Sequence, residues 1–374
     1  MAAQHIYIPL VCGVAVLVFY GSGAVCAPLC LEGDFDSQLQ QILRAQMLSA
    51  QDPSVTQALG DVRATLDQRW QDYELVLTGS LAIGLATIAS DIDLAIHLPN
   101  SNSSAGLYVL QETEQLFKKQ PELYSEMKHR HNVGYNSSFF QFYHIPSERY
   151  VEIEFQTGDL DIFKANLLKY YFDLDRKFKP LTIFLKYWFN IHEISGHHPG
   201  SLPYYALYML VIFYLQQKNL APPGYILQVN SKTHFIDDWD LDFIKLPYST
   251  SNTENLHQLL GGFFKYYSEF DFEENVVSPF AGLPIPKNAF TDVNNFTLYH
   301  NTWNRAMLQE AMCAEMSIQD IVGLRMNTAI KMSHEQASKF KYLMKPVATM
   351  FDKLPSDKIL SAILDFQTIL STIE

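Results

Sequence analysis

The sequence predicts an α+β protein in which a mixed, strand-containing domain precedes a predominantly helical one. Three observations support this prediction. Short β-rich runs bounded by turn residues are concentrated before residue 160, whereas apolar residues at helical spacing dominate after it. The chain has 374 residues, of which 48% are hydrophobic, so it is long enough for two ordinary domains with sizeable cores.

The first half of the chain contains both helices and strands. The first helix has Asp36 or Ser37 as its predicted N-cap. In chain order, the predicted elements are helices at 36–50 and 54–71, a strand running into a Gly-Ser turn at 73–80, a strand at 91–98, a helix near 107–119 and β-rich runs at 139–144 and 150–155. Beyond residue 160, four long apolar patterns predict helices. The predicted domains are therefore 31–160 and 161–350, followed by a C-terminal helix at 351–374.

The first thirty residues form a separate apolar segment. Residues 6–27 carry no charge and end in small residues, as a signal peptide or membrane anchor would, so membrane association through them is one expectation. No Lys or Arg precedes the apolar run, which argues against a signal peptide. Three of the four cysteines lie in this segment, and their spacing fits neither a disulfide framework nor a zinc site. A cytoplasmic, reducing location is favoured.

The charge balance excludes a protein that coats nucleic acid by charge alone. The chain has 40 acidic and 27 basic residues, for a net charge of -13. Any contact with RNA or DNA must therefore be local. Basic residues cluster between Lys164 and Lys186, and again in the run KHRH from Lys128 to His131. For KHRH, an exposed loop is favoured over a nucleic-acid groove. Nothing in the sequence indicates an obligate oligomer.

Two carboxylates sit at the start of an apolar strand. Asp91 and Asp93 are two residues apart, so they point to the same face, where they repel each other unless a cation lies between them. Magnesium prefers such oxygen ligands and keeps other positions for water and phosphates. Mn²⁺ is an alternative with the same ligand preference. The competing interpretation is a strand end that faces water.

The surroundings of this pair favour a phosphate-and-metal site. Gly79 allows a close backbone approach, and Ser80 begins a turn whose N–H groups could hold a phosphate. A two-metal site needs a third carboxylate from another strand, for which Glu152 and Glu154 are candidates. The competing interpretation of this second strand is an amphipathic edge strand with one wet face.

Several motifs, in the same order as in a known family, strengthen this interpretation. The run GSLAIGLATIASDIDL, residues 79–94, resembles the GS…G…SDIDL signature of nucleotidyltransferases related to DNA polymerase beta. Within that superfamily the chain is similar to terminal uridylyltransferases and poly(A)-polymerase-like enzymes. Four further segments carry the resemblance: LDRKFKPLTIFLKYWFNIHEI from 174, GSLPYYALYMLVIFYLQ from 200, LHQLLGGFFKYYSEFDFEENVVSP from 256 and MSIQDIVGLRMNTAIKMS from 316. The resemblance implies a nucleotidyltransferase domain at 31–160 and a helical, poly(A)-polymerase-associated domain at 161–350.

The resemblance also implies a role for each matching residue. The catalytic and metal-binding residues would be Asp91, Asp93 and Glu152, with Mg²⁺ as cofactor. The substrate-binding residues would be Gly79, Ser80, Lys186, Tyr205, Asp320 and Asn327. Gly79, Ser80 and Lys186 would contact the nucleoside triphosphate, Tyr205 would stack on the base, and Asp320 and Asn327 would belong to the nucleotide recognition motif.

The chain departs from the family pattern at informative positions. The third carboxylate is Glu152, where the family has aspartate, and Tyr204 replaces the serine before the stacking tyrosine. The family's ribose-contacting asparagine falls near Lys164. Met326 replaces the histidine that is associated with uridine preference.

The implied reaction is template-independent addition of UMP, or alternatively AMP, to an RNA 3′ end with release of pyrophosphate. Its partners are RNA 3′ ends and UTP or ATP. Two alternatives stay open: a catalytically weak paralogue that acts as an RNA-binding or scaffold protein, and a synthase that makes a small nucleotide product. The segment from 256 disfavours the last of these.

Overall fold

The computed structural model describes residues 15–20, 23–28, 31–98, 106–132, 137–156, 160–196, 198–228, 235–236, 239–240, 243–291, 312–324 and 326–372. Within the apolar N-terminal segment, β1 (Ala15–Tyr20) and β2 (Gly23–Pro28) pair as an antiparallel hairpin. Residues 6–14 and 21–22 of the proposed anchor lie outside the described residues. Over the described parts of the chain, no helix is long and apolar enough to cross a membrane.

The mixed half of the chain contains one large sheet and its covering helices. In chain order these elements are α1 (Phe35–Gln46), α2 (Pro53–Leu66), β3 (Glu74–Leu77), α3 (Gly79–Ile83), β4 (Ile92–His97), α4 (Gly106–Phe117), β5 (Tyr124–Asn132), β6 (Ser137–His144) and β7 (Arg149–Gln156). The N-cap of α1 is Asp34, which accepts a hydrogen bond from the Ser37 backbone N–H at 2.9 Å. The predicted cap, Asp36 or Ser37, is therefore wrong by two or three residues, because the helix begins earlier than its apolar spacing suggests.

The sheet has the strand order β3-β4-β7-β6-β5. Strands β4 and β7 run parallel, and the other neighbouring pairs are antiparallel. Alternate residues of β4 and β7, such as Ile92, Leu94 and Ile153, are fully buried in a core shared with α2 and α4. Because side chains alternate across a strand, the residues between them lie on the opposite face of the sheet. We call this opposite face the open face.

The run KHRH belongs to β5 rather than to the predicted loop. Strand β5 lies at the edge of the sheet and pairs only with β6 among the described strands. His129 pairs with Phe140 in the ladder, and its ring lies 5.4 Å from the Phe140 ring. The prediction of a loop is wrong because an edge strand tolerates charged residues on both faces, so a polar run is compatible with an edge strand as well as with a loop.

The second half is helical, as predicted, with a few two-residue strands. Its elements are α5 (Leu160–Asp173), α6 (Phe178–Ile191), α7 (Tyr204–Gln217), α8 (Gly224–Leu227), β8 (Phe235–Ile236), β9 (Trp239–Asp240), α9 (Leu256–Glu269), β10 (Asn275–Val276), β11 (Ile285–Pro286), a 3-10 helix (Lys287–Thr291), α10 (His334–Lys353), α11 (Ser356–Leu364) and α12 (Phe366–Ser371). Most residues of α6 and α7 are buried in a second core. Helix α1 packs in this second core as well, through residues such as Leu39 and Ile42.

The C-terminal helices fix the position of α6. The carbonyl oxygen of Ile363 in α11 accepts hydrogen bonds from Trp188 Nε1 at 2.8 Å and from His192 Nε2 at 2.9 Å. His192 caps the C-terminal end of α6. Burial of its imidazole lowers the pKa of His192 to about 4.

This buried histidine predicts a loss of stability in mild acid. Its pKa is about 4 in the folded chain and 6.5 when unperturbed, so the unfolded state binds more protons between these values. The contribution of the neutral His192 imidazole to the free energy of unfolding is complete above pH 6.5 and is lost as the pH falls toward 4. Between pH 7.5 and pH 5 the loss is about 2 kcal/mol in the free energy of unfolding. Urea unfolding at both pH values should show a smaller loss for His192→Gln than for the wild type; equal losses would contradict this assignment.

Candidate active site

The predicted carboxylates lie on two neighbouring central strands of the open face. In the parallel ladder of β4 and β7, Asp93 lies directly opposite Glu152. Asp91 immediately precedes β4, and both aspartates are half-buried on either side of the fully buried Ile92. The structure therefore brings all three predicted carboxylates to one region. Glu154 is one step further along β7, opposite Ala95, so Glu152 is the better placed of the two glutamates.

A glycine turn packs against this pair. Thr78 follows strand β3, and its backbone N–H donates to the Asp93 carbonyl oxygen at 2.9 Å. Gly79 then begins α3 with φ of +57°, a left-handed conformation that favours glycine. A Cβ atom at Gly79 would overlap the Asp93 carboxylate. The missing side chain therefore lets the turn that carries Ser80 lie directly against the carboxylate.

The position of Glu152 is set by a glutamine that sequence reasoning missed. Gln141 in β6 is opposite Glu152 in the ladder, and its Nε2 donates to Glu152 Oε1 at 2.6 Å. Gln141 is 4% exposed. Because glutamate is one methylene longer than the family's aspartate, this hydrogen bond fixes a side chain that has an additional rotatable bond. Only the sheet register reveals the pair, since eleven residues separate the two in sequence.

Lys186 lies buried beside the aspartates. Its Nζ donates to Ser90 Oγ at 2.8 Å and to the Leu85 carbonyl oxygen at 3.3 Å, and lies 4.5 Å from the centre of the Tyr204 ring. Burial lowers the pKa of Lys186 to about 8, while the charges of Asp93 and Asp91 oppose this shift. The lysine therefore supplies an internal positive charge near the carboxylates. Sequence reasoning missed the contribution of Ser90, although it directly precedes Asp91.

Tyr205 belongs to a second cluster, around Asp320. The Tyr205 hydroxyl donates to Asp320 Oδ1 at 3.1 Å, and Lys164 Nζ donates to Asp320 Oδ2 at 3.0 Å. Lys164 Nζ also lies 5.3 Å from the centre of the Tyr205 ring. Tyr204 and Tyr205 are the first two residues of α7, so this helix start contacts the lysine beside the carboxylates and the Asp320 cluster at once.

The predicted recognition motif is a tightly bonded loop. Asp320 is fully buried, and its Oδ1 also accepts the backbone N–H groups of Val322 and Gly323. Asn327 bonds backbone groups of the same loop, including the Ile318 N–H at 3.0 Å and the Met316 carbonyl oxygen at 2.9 Å. These contacts give Asp320 and Asn327 a structural role in positioning Tyr205 and its loop, beside the substrate contact predicted for them.

The buried pair of Asp320 and Lys164 predicts a large loss of stability on mutation. Asp320→Ala would remove the carboxylate that pairs with the buried Lys164 ammonium. Loss of one partner of a buried ion pair destabilises a protein by about 3–5 kcal/mol. Urea unfolding should show this loss, and a double variant with Lys164→Met should recover part of it. The exposed Asp352→Ala is the control and should change the free energy of unfolding by less than about 0.5 kcal/mol. An equal, small effect of both single substitutions would contradict the assignment.

The donor set fits a hard divalent cation. Among the described residues, no group of three or more His, Cys, Asp or Glu side chains forms an all-protein metal cage. Magnesium does not require one, because it is usually held by one or two carboxylates together with substrate phosphates and water. Asp91 and Asp93 supply such a pair, and the Gly79 backbone packs directly against the Asp93 carboxylate.

Comparison with known proteins agrees with this geometry. Residues 59–164 match the family model of the nucleotidyltransferase domain, and residues 255–320 match that of the Cid1 family poly A polymerase. The chain is 29% identical over 240 residues to terminal uridylyltransferase cid1 of Schizosaccharomyces pombe, which is 59% of this chain and 55% of that protein. It is 28% identical over 243 residues to human terminal uridylyltransferase 7, covering 59% of this chain and 16% of that protein. The chain thus spans about half or less of these relatives.

Solved structures show the same fold. A crystal structure of mtPAP in complex with UTP matches 90% of this chain and 73% of its own, with a TM-score of 0.73 and 18% identity. A cytoplasmic RNA terminal U-transferase matches 87% of this chain and 98% of its own, with a TM-score of 0.67 and 21% identity. A MgGTP-bound structure of the Cid1 poly(U) polymerase matches with a TM-score of 0.68 and 20% identity, over 87% of this chain and 98% of its own. The predicted architecture, a polymerase-beta-like domain with a poly(A)-polymerase-associated domain, is confirmed.

Proposed function

We propose that the chain is a member of the terminal uridylyltransferases and poly(A)-polymerase-like RNA nucleotidyltransferases and that it adds UMP to RNA 3′ ends without a template. The matches to the nucleotidyltransferase and Cid1 family domain models and the similarity to terminal uridylyltransferases support this proposal. The observation that carries this proposal is the register of Asp93 opposite Glu152, with the Gly79 turn packed on the Asp93 carboxylate. AMP is the alternative product, because the position of the family's uridine-associated histidine is Met326.

Different residues of the site would bind the metal ion and orient the RNA 3′-hydroxyl. Asp91 and Asp93 would hold Mg²⁺ against the nucleotide phosphates. When bound, the ion would stabilise charge on the transferred phosphate and make the RNA 3′-hydroxyl a better nucleophile. Glu152, held by Gln141, would orient that hydroxyl from the β7 side. The 3′-oxygen forms a bond to the α-phosphorus as the bond to pyrophosphate breaks.

The remaining residues would hold the nucleotide. Lys186 supplies positive charge for the triphosphate, provided that its ammonium exchanges Ser90 for a phosphate oxygen. The turn at Ser80 contributes backbone N–H groups on the other side of Asp93. The Tyr205 ring, whose hydroxyl is bonded to Asp320, would stack on the base, a contact that accepts any base.

An extension assay tests this proposal. The full chain is incubated with a 5′-labelled single-stranded RNA, Mg²⁺ and one nucleotide at a time. Extension with UTP is expected, and extension with ATP alone would identify the adenylyl alternative. Binding of the RNA without extension by any nucleotide would overturn the proposal in favour of an RNA-binding paralogue. A product formed without RNA would overturn it in favour of a small-product synthase.

A further inference from the structure

The open face of the sheet continues beyond Glu152. In register, Asp93, Glu152, Gln141 and Lys128 form one row that crosses four strands, from β4 to the edge strand β5. A second row runs beside it on the same face. Tyr150 lies two residues before Glu152 in β7 and pairs with Tyr143 of β6. Asp91 and Tyr150 directly precede the paired residues Ile92 and Val151, so the second row begins beside Asp91.

The two tyrosines form an aromatic pair beside the site. Their ring centres are 5.2 Å apart with an interplanar angle of 65°. Tyr150 is 36% exposed, and its hydroxyl donates to Glu126 Oε2 at 2.6 Å. This hydrogen bond, with burial, raises the pKa of Tyr150 to about 12, and the phenol is uncharged at neutral pH with or without this shift. A neutral, fixed and exposed ring is suited to stacking on a base.

A bulge in β5 turns Lys128 toward the same face. The ladder shifts between Ser125 and Lys128, and Glu126 within the shift has φ of +52°, an unfavourable conformation for a residue other than glycine. Without this shift, Lys128 would lie opposite Phe140 on the core-facing side. With it, the exposed Lys128 lies opposite Gln141, in the row of Asp93 and Glu152. The strained residue also supplies the carboxylate that fixes Tyr150.

We propose that Tyr150, Tyr143 and Lys128 bind the 3′-terminal nucleotides of the RNA acceptor. Bases would stack on the tyrosine rings, and the Lys128 ammonium would contact a backbone phosphate. This inference rests on the proposed function, in which Glu152 orients the 3′-hydroxyl, and it places the acceptor on the side of Glu152 away from β4. The incoming nucleotide belongs to the other side, because Tyr205 and Lys186 come from α7 and α6. The occupant is single-stranded, since stacking requires exposed base faces.

We call the surface formed by Tyr150, Tyr143 and Lys128 the platform. Two measurements that need no nucleotide test its role in binding RNA. The first is the affinity of the full chain for a short labelled RNA as a function of salt. Tyr150→Ala should weaken binding about tenfold, and Tyr150→Phe, which keeps the ring, should restore most of that loss. Lys128→Gln should reduce the slope of log affinity against log salt by about one. The control is Tyr108→Ala, a tyrosine that is more exposed than Tyr150, at 53% against 36%, and that lies on α4, which packs on the opposite face. Equal affinities for Tyr150→Ala, Tyr108→Ala and the wild type would overturn the inference.

The second measurement locates the RNA end directly. An RNA that ends in 5-iodouridine is photocrosslinked to the wild-type chain, and the modified residue is mapped by mass spectrometry. A crosslink to Tyr150 or Tyr143 supports the platform, and one confined to residues elsewhere overturns it.

If the wild type also extends RNA, Tyr150→Ala should raise the KM for RNA about tenfold and leave the KM for UTP unchanged. Absence of any transfer would overturn the proposed function, while binding and crosslinking still decide the platform.

Discussion

Asparagine at both Asp91 and Asp93 is expected to reduce nucleotide transfer at least about a thousandfold, equivalent to about 4 kcal/mol of transition-state stabilisation. The substitution keeps the shape of both side chains and removes the two negative charges that would hold a divalent ion. The rate of RNA extension per enzyme, measured at saturating UTP and RNA, is the readout. The free energy of unfolding should change little, because both aspartates are half-buried and lie outside the core.

Two further variants make this result specific. Asp352→Asn, on the exposed side of α10, removes one carboxylate from the surface and should leave extension unchanged. Glu152→Gln should reduce extension much more than Glu154→Gln, since Glu152 alone is opposite Asp93. The reverse order would assign the third carboxylate to Glu154, and full activity of the doubly substituted aspartate variant would remove the site from the reaction.

Alanine at Gly79 is expected to reduce extension at least about a hundredfold, because a shift of about 1 Å in a catalytic group has effects of this size. The new Cβ would overlap the Asp93 carboxylate and force it away from its place opposite Glu152. The left-handed backbone at φ of +57° adds a loss of about 1–2 kcal/mol in stability. The measurement combines the rate of extension with urea unfolding.

Gly84 provides the matched control for this substitution. It also has a left-handed backbone, with φ of +75°, but its added Cβ would lie 3.3 Å from the flexible end of Lys179. Gly84→Ala should therefore lose similar stability and keep most of the activity. If both alanine variants lose activity equally, backbone strain rather than contact with Asp93 explains the effect at Gly79.

Much of the site follows from local patterns in the sequence. The period-two alternation around Ile92 and Val151 places Asp91, Asp93 and Glu152 on the face away from the core, as the structure has them. The two-residue alternation of the strand does not distinguish Glu152 from Glu154, because both side chains lie on that face. Only the pairing of two strands that are more than fifty residues apart distinguishes them, and such register depends on the whole sheet.

Contacts between distant segments could not be predicted. The bond from Gln141 to Glu152 and the enclosure of Lys186 by Ser90 and Tyr204 depend on packing, not on spacing. The bulge at Glu126 decides on which face of the sheet Lys128 lies, since one extra residue changes the side of every later side chain in the strand. The burial of α1 in the helical core likewise needs the tertiary structure, because its apolar spacing is compatible with either domain.

The most direct test of the reaction uses one RNA with two different ends. The full wild-type chain is given Mg²⁺, UTP and a 5′-labelled RNA that ends either in a 3′-hydroxyl or in a 3′-deoxy nucleotide, alongside the variant with asparagine at Asp91 and Asp93. We expect stepwise lengthening only of the 3′-hydroxyl RNA, and only by the wild type. Lengthening of the blocked RNA, equal lengthening by the variant, or no lengthening of either RNA with UTP or ATP would contradict transfer to an RNA 3′ end at these carboxylates.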